Sequence, residues 1–183
     1  MTTKKKTTPA VKDYVQKLQA KLAIKNINAV PKIDKIVVNF WIWSLATRKW
    51  QKDFSELEKN LIKITGQKPH LLLSKKAISN FKLREWMPVM LRVTLRRNKA
   101  ESFFDKLVKV VLPRIRDFSW VSTKKFDSQA NLNMWINNYN IFPELNPDDI
   151  TIPMWMQITI VTTTTDPKQA KALLESLWLV FLN

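Results

Sequence analysis

The chain has 183 residues and carries 31 lysines and arginines against 15 acidic residues, so its formal net charge is +16. This excess of positive charge predicts a polyanionic partner. The absence of cysteine excludes disulfides and thiolate-held metals, and no apolar run approaches the ~18 residues of a membrane-spanning helix, so we expect no membrane partner.

Patterns in the first third of the chain predict an arm, two helices and a strand. Residues 1–8 are rich in Lys and Thr and predict a flexible basic arm, whereas residues 9–183 suit a single domain. The first helix is indicated by apolar residues at helical spacing: Val11, Tyr14, Val15, Leu18 and Leu22. Residues 32–40 predict a β-branched strand. The second helix has a similar stripe of Phe54, Leu57, Leu61 and Ile64, and Gly66 is placed to end it.

Residues 66–97 are the most informative segment because they combine dense positive charge with a clear strand pattern. Glu85 is their only acid, and their basic residues are Lys68, Lys75, Lys76, Lys82, Arg84, Arg92, Arg96 and Arg97. Residues 88–96 alternate between apolar and polar, which predicts one buried face and a second face that carries Arg92, Thr94 and Arg96. Such a row of donors is typical of contacts to an RNA backbone. The alternative interpretation is a solvated strand face beside a charged loop.

The second half of the chain predicts two further helices and a final strand. Residues 102–111 have a helical stripe. The Asn-rich segment 113–150 is interrupted by prolines and predicts no long element. Residues 156–163 alternate and predict the last strand. Asp166, followed by proline, is a good cap for a helix over residues 167–178.

The order of these elements predicts an α+β fold. We expect a mostly antiparallel sheet with helices packed on one face, which leaves the other face free. An extended basic loop over residues 74–87 should project from this sheet, because its charged residues lie between two strand-like runs.

No residue pattern indicates catalysis. His70 is the only histidine, and because it lies in an apolar strand-like run we predict a structural or edge residue. Asp148 and Asp149 follow a proline, which indicates turn or capping chemistry. The threonines at 162–165 lack the glycine-rich nest of a phosphate loop. We therefore predict a non-enzymatic protein with no metal site and no cofactor.

Short motifs spread along the chain resemble the universal large-subunit ribosomal protein five family in its bacterial type. The resemblance runs from about residue 11 to the C-terminus, in the order and spacing of that family. The motifs are VPKIDKIVVNF at 30–40, ITGQKP at 64–69, FKLRE at 81–85 followed by MP at 87–88, VTLR at 93–96, LPRIRDF at 112–118, FD at 126–127, IFPEL at 141–145 and ITIVTTT at 158–164.

The resemblance implies a structural constituent of the large ribosomal subunit, located in the cytoplasmic ribosome. It implies binding of 5S ribosomal RNA in the central protuberance and contact with peptidyl-site transfer RNA through loop 74–87. Its further partners would be large-subunit ribosomal RNA, neighbouring central-protuberance proteins and a small-subunit head protein. The alternative function is a general basic RNA-binding protein or RNA chaperone without ribosomal specificity.

The candidate site residues form two groups. For 5S ribosomal RNA, the positions that match the family or share the polar strand face are Asn39, Gln67, Lys68, Arg92, Thr94 and Arg96. For transfer RNA, the candidate loop residues are Lys75, Lys76, Phe81, Lys82 and Arg84. Asn39 and Gln67 have a purely structural capping role as their alternative, and Phe81 has the alternative of pinning the loop to its own domain.

Glycine and tryptophan occur in unusual numbers, with one glycine and eight tryptophans, where average usage of ~7% would give about a dozen glycines. Most tryptophans occupy glycine positions of the resembled family: Trp41, Trp43, Trp86, Trp120, Trp135, Trp155 and Trp178. Other residues occupy further glycine positions: Asn80, Arg97, Ser128 and Ala130. We hypothesise that the source organism reads UGA as glycine and that the gene was translated with a table in which UGA means tryptophan. The alternative is a genuine Trp-rich variant whose indoles stack on bases.

The gene sequence tests the codon hypothesis directly. We expect UGA at these tryptophan positions, because a reassigned codon explains the excess of tryptophan and the shortage of glycine together. GGN or UGG codons at the same positions would contradict it.

Overall fold

A computed structural model describes residues 9–48, 53–115, 121–146 and 154–182. The α-helices within these residues are α1 Pro9–Leu22, α2 Trp43–Arg48, α3 Ser55–Thr65, α4 Asn98–Lys106, α5 Leu112–Arg114 and α6 Pro167–Ser176. The strands are β1 Ile33–Trp41, β2 His70–Leu73, β3 Pro88–Arg96, β4 Val121–Ser122, β5 Leu132–Ile136, β6 Met156–Thr162 and β7 Phe181–Leu182. A π-helical turn, Leu107–Val111, joins α4 to α5. The predicted arm at residues 1–8 and the Asp148–Asp149 turn lie outside the described residues.

The main sheet has five strands in the order β2-β3-β1-β6-β5. All four neighbouring pairs in it are antiparallel, and β4 pairs with β7 in a separate parallel ribbon. The predicted α+β class with a mostly antiparallel sheet is therefore confirmed.

One face of the main sheet carries the hydrophobic core. On the three central strands the buried side chains alternate along the chain: Ile36, Val38 and Phe40, then Leu91, Val93 and Leu95, then Met156, Ile158 and Ile160. Helices α3 and α4 supply Leu57, Leu61, Phe103 and Phe104 to the same cluster. Because successive strand residues point to opposite sides, the polar residues between these apolar ones are directed away from the core.

Local capping signals were read correctly from the sequence. Gly66 ends α3 with φ of 65°, and its N–H donates to the Ile62 carbonyl at 2.7 Å, which is the left-handed cap that glycine favours. The Asp166 side chain caps α6 by accepting from the Lys168 N–H at 2.9 Å. The first helix is also present, and its Leu18 packs against Val30 and Leu173 of α6.

Two elements were missed, and two boundaries differ. Strand β5 lies in the Asn-rich segment for which no element was predicted, and the short helix α2 was not expected. The strand over 156–163 is followed by β7, so it is not the last. The third helix begins at Asn98 rather than 102. Five residues with an exposed tryptophan carry little periodic signal, and β5 exists because Leu132 and Met134 pair with Ile160 and Ile158 of β6.

Two tryptophans adopt the backbone conformation that glycine favours. Trp86 has φ of 65° and Trp178 has φ of 72°, and the two residues are 73% and 78% exposed. Arg97 and Ala130 also have positive φ, which costs an L-residue roughly 1–2 kcal/mol. The backbone thus supports the codon hypothesis at Trp86 and Trp178, whereas Trp155 and the other described family-glycine tryptophans have no positive φ.

We expect Trp86→Gly and Trp178→Gly each to raise the free energy of unfolding by about 1 kcal/mol. Glycine removes the left-handed strain, and the exposed indoles contribute little burial. Urea unfolding followed by far-UV circular dichroism measures the change. Trp155→Gly is the matched control, because that indole is also exposed but its φ is not positive, and it should give no gain. Equal behaviour of all three variants would refute the strain argument.

Candidate RNA interface

The face of the main sheet opposite the core is here called the open face. It is defined by the strand register as Lys35, Val37, Asn39 and Trp41 of β1, His70 and Leu72 of β2, Met90, Arg92, Thr94 and Arg96 of β3, Asn133 and Trp135 of β5, and Gln157, Thr159 and Val161 of β6. None of these open-face residues is acidic. The surface therefore presents cations, amides and hydroxyls with no carboxylate among them, which suits a polyanion.

The antiparallel register of β1 and β3 gathers four of the candidate residues. Asn39 lies opposite Arg92, Val37 opposite Thr94, and Lys35 opposite Arg96. Arg92 and Arg96 are exposed and lie two pairs apart on the same face. Lys35 was not predicted as a site residue, although the alternation of β1 places it on this face and its side chain stands beside a candidate arginine.

Asn39 contacts Arg92 directly and is itself buried, with 6% of its surface exposed. Arg92 Nε donates to Asn39 Oδ1 at 3.1 Å, and Asn39 Nδ2 donates to Gln157 Oε1 at 3.5 Å. Because a guanidinium has only donors, this bond turns the Asn39 oxygen toward the arginine. The contact holds the Nε side of Arg92 and directs its terminal nitrogens away from Asn39. The structure thus gives Asn39 a bracing role within the candidate site.

Gln67 braces the turn between α3 and β2 against strand β3. Its Nε2 donates to the Thr94 carbonyl at 3.2 Å, and its own carbonyl accepts from Thr65 Oγ1 at 3.1 Å. Lys99 Nζ adds a bond to the Gly66 carbonyl at 3.4 Å. The next residue, Lys68, is exposed. This bracing brings the exposed lysine of the turn to the same end of β3 as Thr94.

Loop 74–87 is closed at its base and folded at its tip. At the base, the Ser74 N–H donates to the Met87 carbonyl at 2.8 Å and the Trp86 N–H donates to the Ser74 carbonyl at 2.9 Å. Near the tip, Ile78 and Leu83 form an isolated antiparallel bridge. The loop is therefore a short hairpin-like projection, and all its candidate residues are exposed: Lys75, Lys76, Phe81, Lys82 and Arg84.

Phe81 combines both roles considered for it. Its ring lies 6.3 Å from the Trp43 ring in an edge-to-face arrangement, so it does tie the loop to α2. The side chain is nevertheless 58% exposed, so one side of the ring is accessible for packing on a nucleotide.

The two candidate groups lie at opposite ends of β3. Loop 74–87 enters the strand at Pro88, whereas Thr94 and Arg96 lie at its far end. Nine residues of strand span roughly 27 Å at about 3.4 Å per residue. Arg92 lies between them, and the structure thus presents one elongated basic surface with two separate ends.

The described residues offer no catalytic or metal-binding constellation. His70 lies on the edge strand β2 opposite Arg92, as its apolar surroundings predicted. Within residues 9–48, 53–115, 121–146 and 154–182, no three potential ligands are grouped for a metal ion. No described helix is long and apolar enough to cross a membrane.

Comparison with known proteins identifies the family. The family described as "Ribosomal protein L5" matches residues 26–84, and the description of the C-terminus of that ribosomal protein family matches residues 88–181. The chain is 43% identical over 170 residues to "Large ribosomal subunit protein uL5" of Clostridium botulinum (strain Hall), covering 93% of each chain. It is 42% identical over 165 residues to the protein of the same name from Natranaerobius thermophilus, covering 90% of this chain and 91% of the other. The chain therefore belongs to the ribosomal protein L5 family.

Proposed function

We propose that this protein is a structural constituent of the large ribosomal subunit that binds 5S ribosomal RNA through the open face. The observation that carries the proposal is the Arg92–Asn39 contact, flanked by Lys35 and Arg96 on a surface without carboxylates. Membership of a family of structural ribosomal proteins agrees with the prediction that the chain is not an enzyme.

Affinity on this face comes from phosphate neutralisation. Each lysine or arginine that contacts a phosphate releases condensed counterions, so binding should weaken as salt rises. Arg92 is held at Nε by the neutral oxygen of Asn39, so its full charge and its terminal nitrogens remain for a phosphate. Selectivity comes from shape, because a rigid row of donors fits one arrangement of phosphates in a folded RNA.

Loop 74–87 supports a second contact, with transfer RNA in the peptidyl site. Its exposed cations project from the end of β3 that is remote from Arg96, so one protein molecule is able to hold two RNA molecules. The exposed side of Phe81 would pack on a ribose or base while the neighbouring Lys82 meets a phosphate.

The remaining partners follow from this placement. In the central protuberance of a cytoplasmic ribosome, the protein would meet large-subunit ribosomal RNA, neighbouring central-protuberance proteins and a small-subunit head protein. The net charge of +16 supports the nucleic-acid part of this set, because such a charge repels other cationic surfaces unless RNA lies between them.

Competition binding tests the function. We expect the purified protein to prefer 5S ribosomal RNA over transfer RNA and an unrelated structured RNA, across roughly 50–300 mM salt, with the preference surviving at the upper end. Equal binding to all three RNAs that disappears together with salt would instead identify a general basic RNA-binding protein.

We expect Arg96→Ala to weaken 5S RNA binding by about 1–3 kcal/mol, because it removes a phosphate-directed charge from the open face. Lys82→Ala in the loop should leave this affinity nearly unchanged. Arg114→Ala, at an exposed position on α5, is the charge-matched control. Fluorescence anisotropy with labelled 5S RNA measures all three, and equal losses would contradict the division between sheet and loop.

A further inference from the structure

We infer that the RNA interface extends past Asn39 onto β6 and β5, where Asn133, Gln157 and Thr159 form an uncharged half that binds ribose hydroxyls or base edges. This inference rests on the proposed function and adds residues and a ligand chemistry to the same site. None of these three residues was a candidate from the sequence, because β5 was not predicted.

The first line of support is a row of residues that crosses four strands. Val37 pairs with Thr94 on one side and with Thr159 on the other, and Thr159 pairs with Asn133. Directly opposite residues in an antiparallel sheet point to the same face, so Thr94, Thr159 and Asn133 all belong to the open face. A candidate RNA contact on β3 is thus continuous with polar groups at the β5 edge.

The hydrogen bonds within this row leave its donors available. Thr159 Oγ1 donates to Asn133 Oδ1 at 2.7 Å, which fixes the amide with its oxygen toward β6. Asn133 Nδ2 makes no hydrogen bond to any residue that the structure describes, and the side chain is only half-buried. Two N–H donors therefore face solvent beside a hydroxyl whose own position is held.

Gln157 repeats this arrangement in the next row. Its Oε1 accepts from Asn39 Nδ2 at 3.5 Å and from Trp41 Nε1 at 3.4 Å. Its Nε2 has no partner among the described residues, so it too is a donor directed to solvent. Through Asn39 this glutamine is linked to Arg92, and a single polar row runs from the arginine of β3 to the amide of β6.

The two halves differ in charge, and this decides what each can bind. The open-face residues of β1 and β3 include Lys35, Arg92 and Arg96, whereas those of β5 and β6 carry no charge. Neutral amides and hydroxyls gain little on phosphates from which no counterion is released, but they pair well with 2′-hydroxyls and base edges. Strands β3 and β5 lie three spacings apart, roughly 14 Å, so one folded RNA segment reaches both halves.

The test compares a neutral-half variant with a charged-half variant. The double variant Asn133→Ala and Thr159→Val should bind 5S RNA about tenfold more weakly, with an unchanged slope of affinity against salt. Arg92→Ala should reduce that slope by about 1. Thr123→Val, at an exposed threonine outside the main sheet, is the matched control and should bind like the parent protein.

A second readout separates RNA contact from a purely structural role of the Asn133–Thr159 bond. The parent protein should bind 5S RNA more tightly than 5S RNA with 2′-deoxy substitutions, and the double variant should lose this difference. A bond that only stabilises the β5 edge would lower the melting temperature and leave the 2′-deoxy discrimination intact, which would overturn the inference.

Gln157→Glu guards against a double variant that fails to fold. It preserves the shape of a surface side chain and places a carboxylate on the open face, so we expect at least a tenfold loss of 5S RNA affinity at unchanged melting temperature. Unchanged affinity would also overturn the inference. A parent protein without any preference for 5S RNA would instead refute the proposed function, so the two failures are distinguishable.

Discussion

The register of β1 between β3 and β6 is the constraint on which the rest of the structure depends. With this register, Ile36, Val38 and Phe40 enter the core and Asn39 stands between Arg92 and Gln157. A slip of one residue would move every side chain of β1 to the other face. It would expose Phe40, whose ring packs 5.2 Å from that of Tyr139, and burial of such a side chain stabilises the fold by roughly 1.5–3 kcal/mol. The apolar core thus holds the polar row in place.

The partner of Arg92 determines how useful its charge is. An aspartate in place of Asn39 would orient the guanidinium equally well, but it would also neutralise it and repel a phosphate. The amide supplies orientation without charge, since its oxygen accepts from Nε while Gln157 occupies its nitrogen. The same principle applies to Gln67, which fixes a turn through the Thr94 carbonyl without cancelling the charge of Lys68. In both places neutral side chains position basic ones.

Backbone conformation limits the projecting loop more than its charges do. The base of loop 74–87 closes through the N–H of Trp86, a residue with positive φ, and the tip turns through Lys82, which also has positive φ. A residue with a Cβ is strained in this region, so the loop closes against a local cost that glycine would avoid. An indole at position 86 is also 73% exposed and gains little from packing. The shape of the loop is therefore explained by its hydrogen bonds and not by its tryptophan.

The sequence by itself determined the charge, the family and every element with a strong local signal. The cap at Gly66, the cap at Asp166 and the alternation of β3 could be predicted because each depends on neighbours close in the chain. Only the tertiary structure decided that β5 is a strand, since its pairing partner β6 lies about two dozen residues away. The same holds for the contacts of Asn39 with Arg92 and Gln157, which are 53 and 118 residues distant. Periodicity tells which face a residue occupies, but the neighbour across a strand is fixed by sheet order and register, which no local pattern encodes.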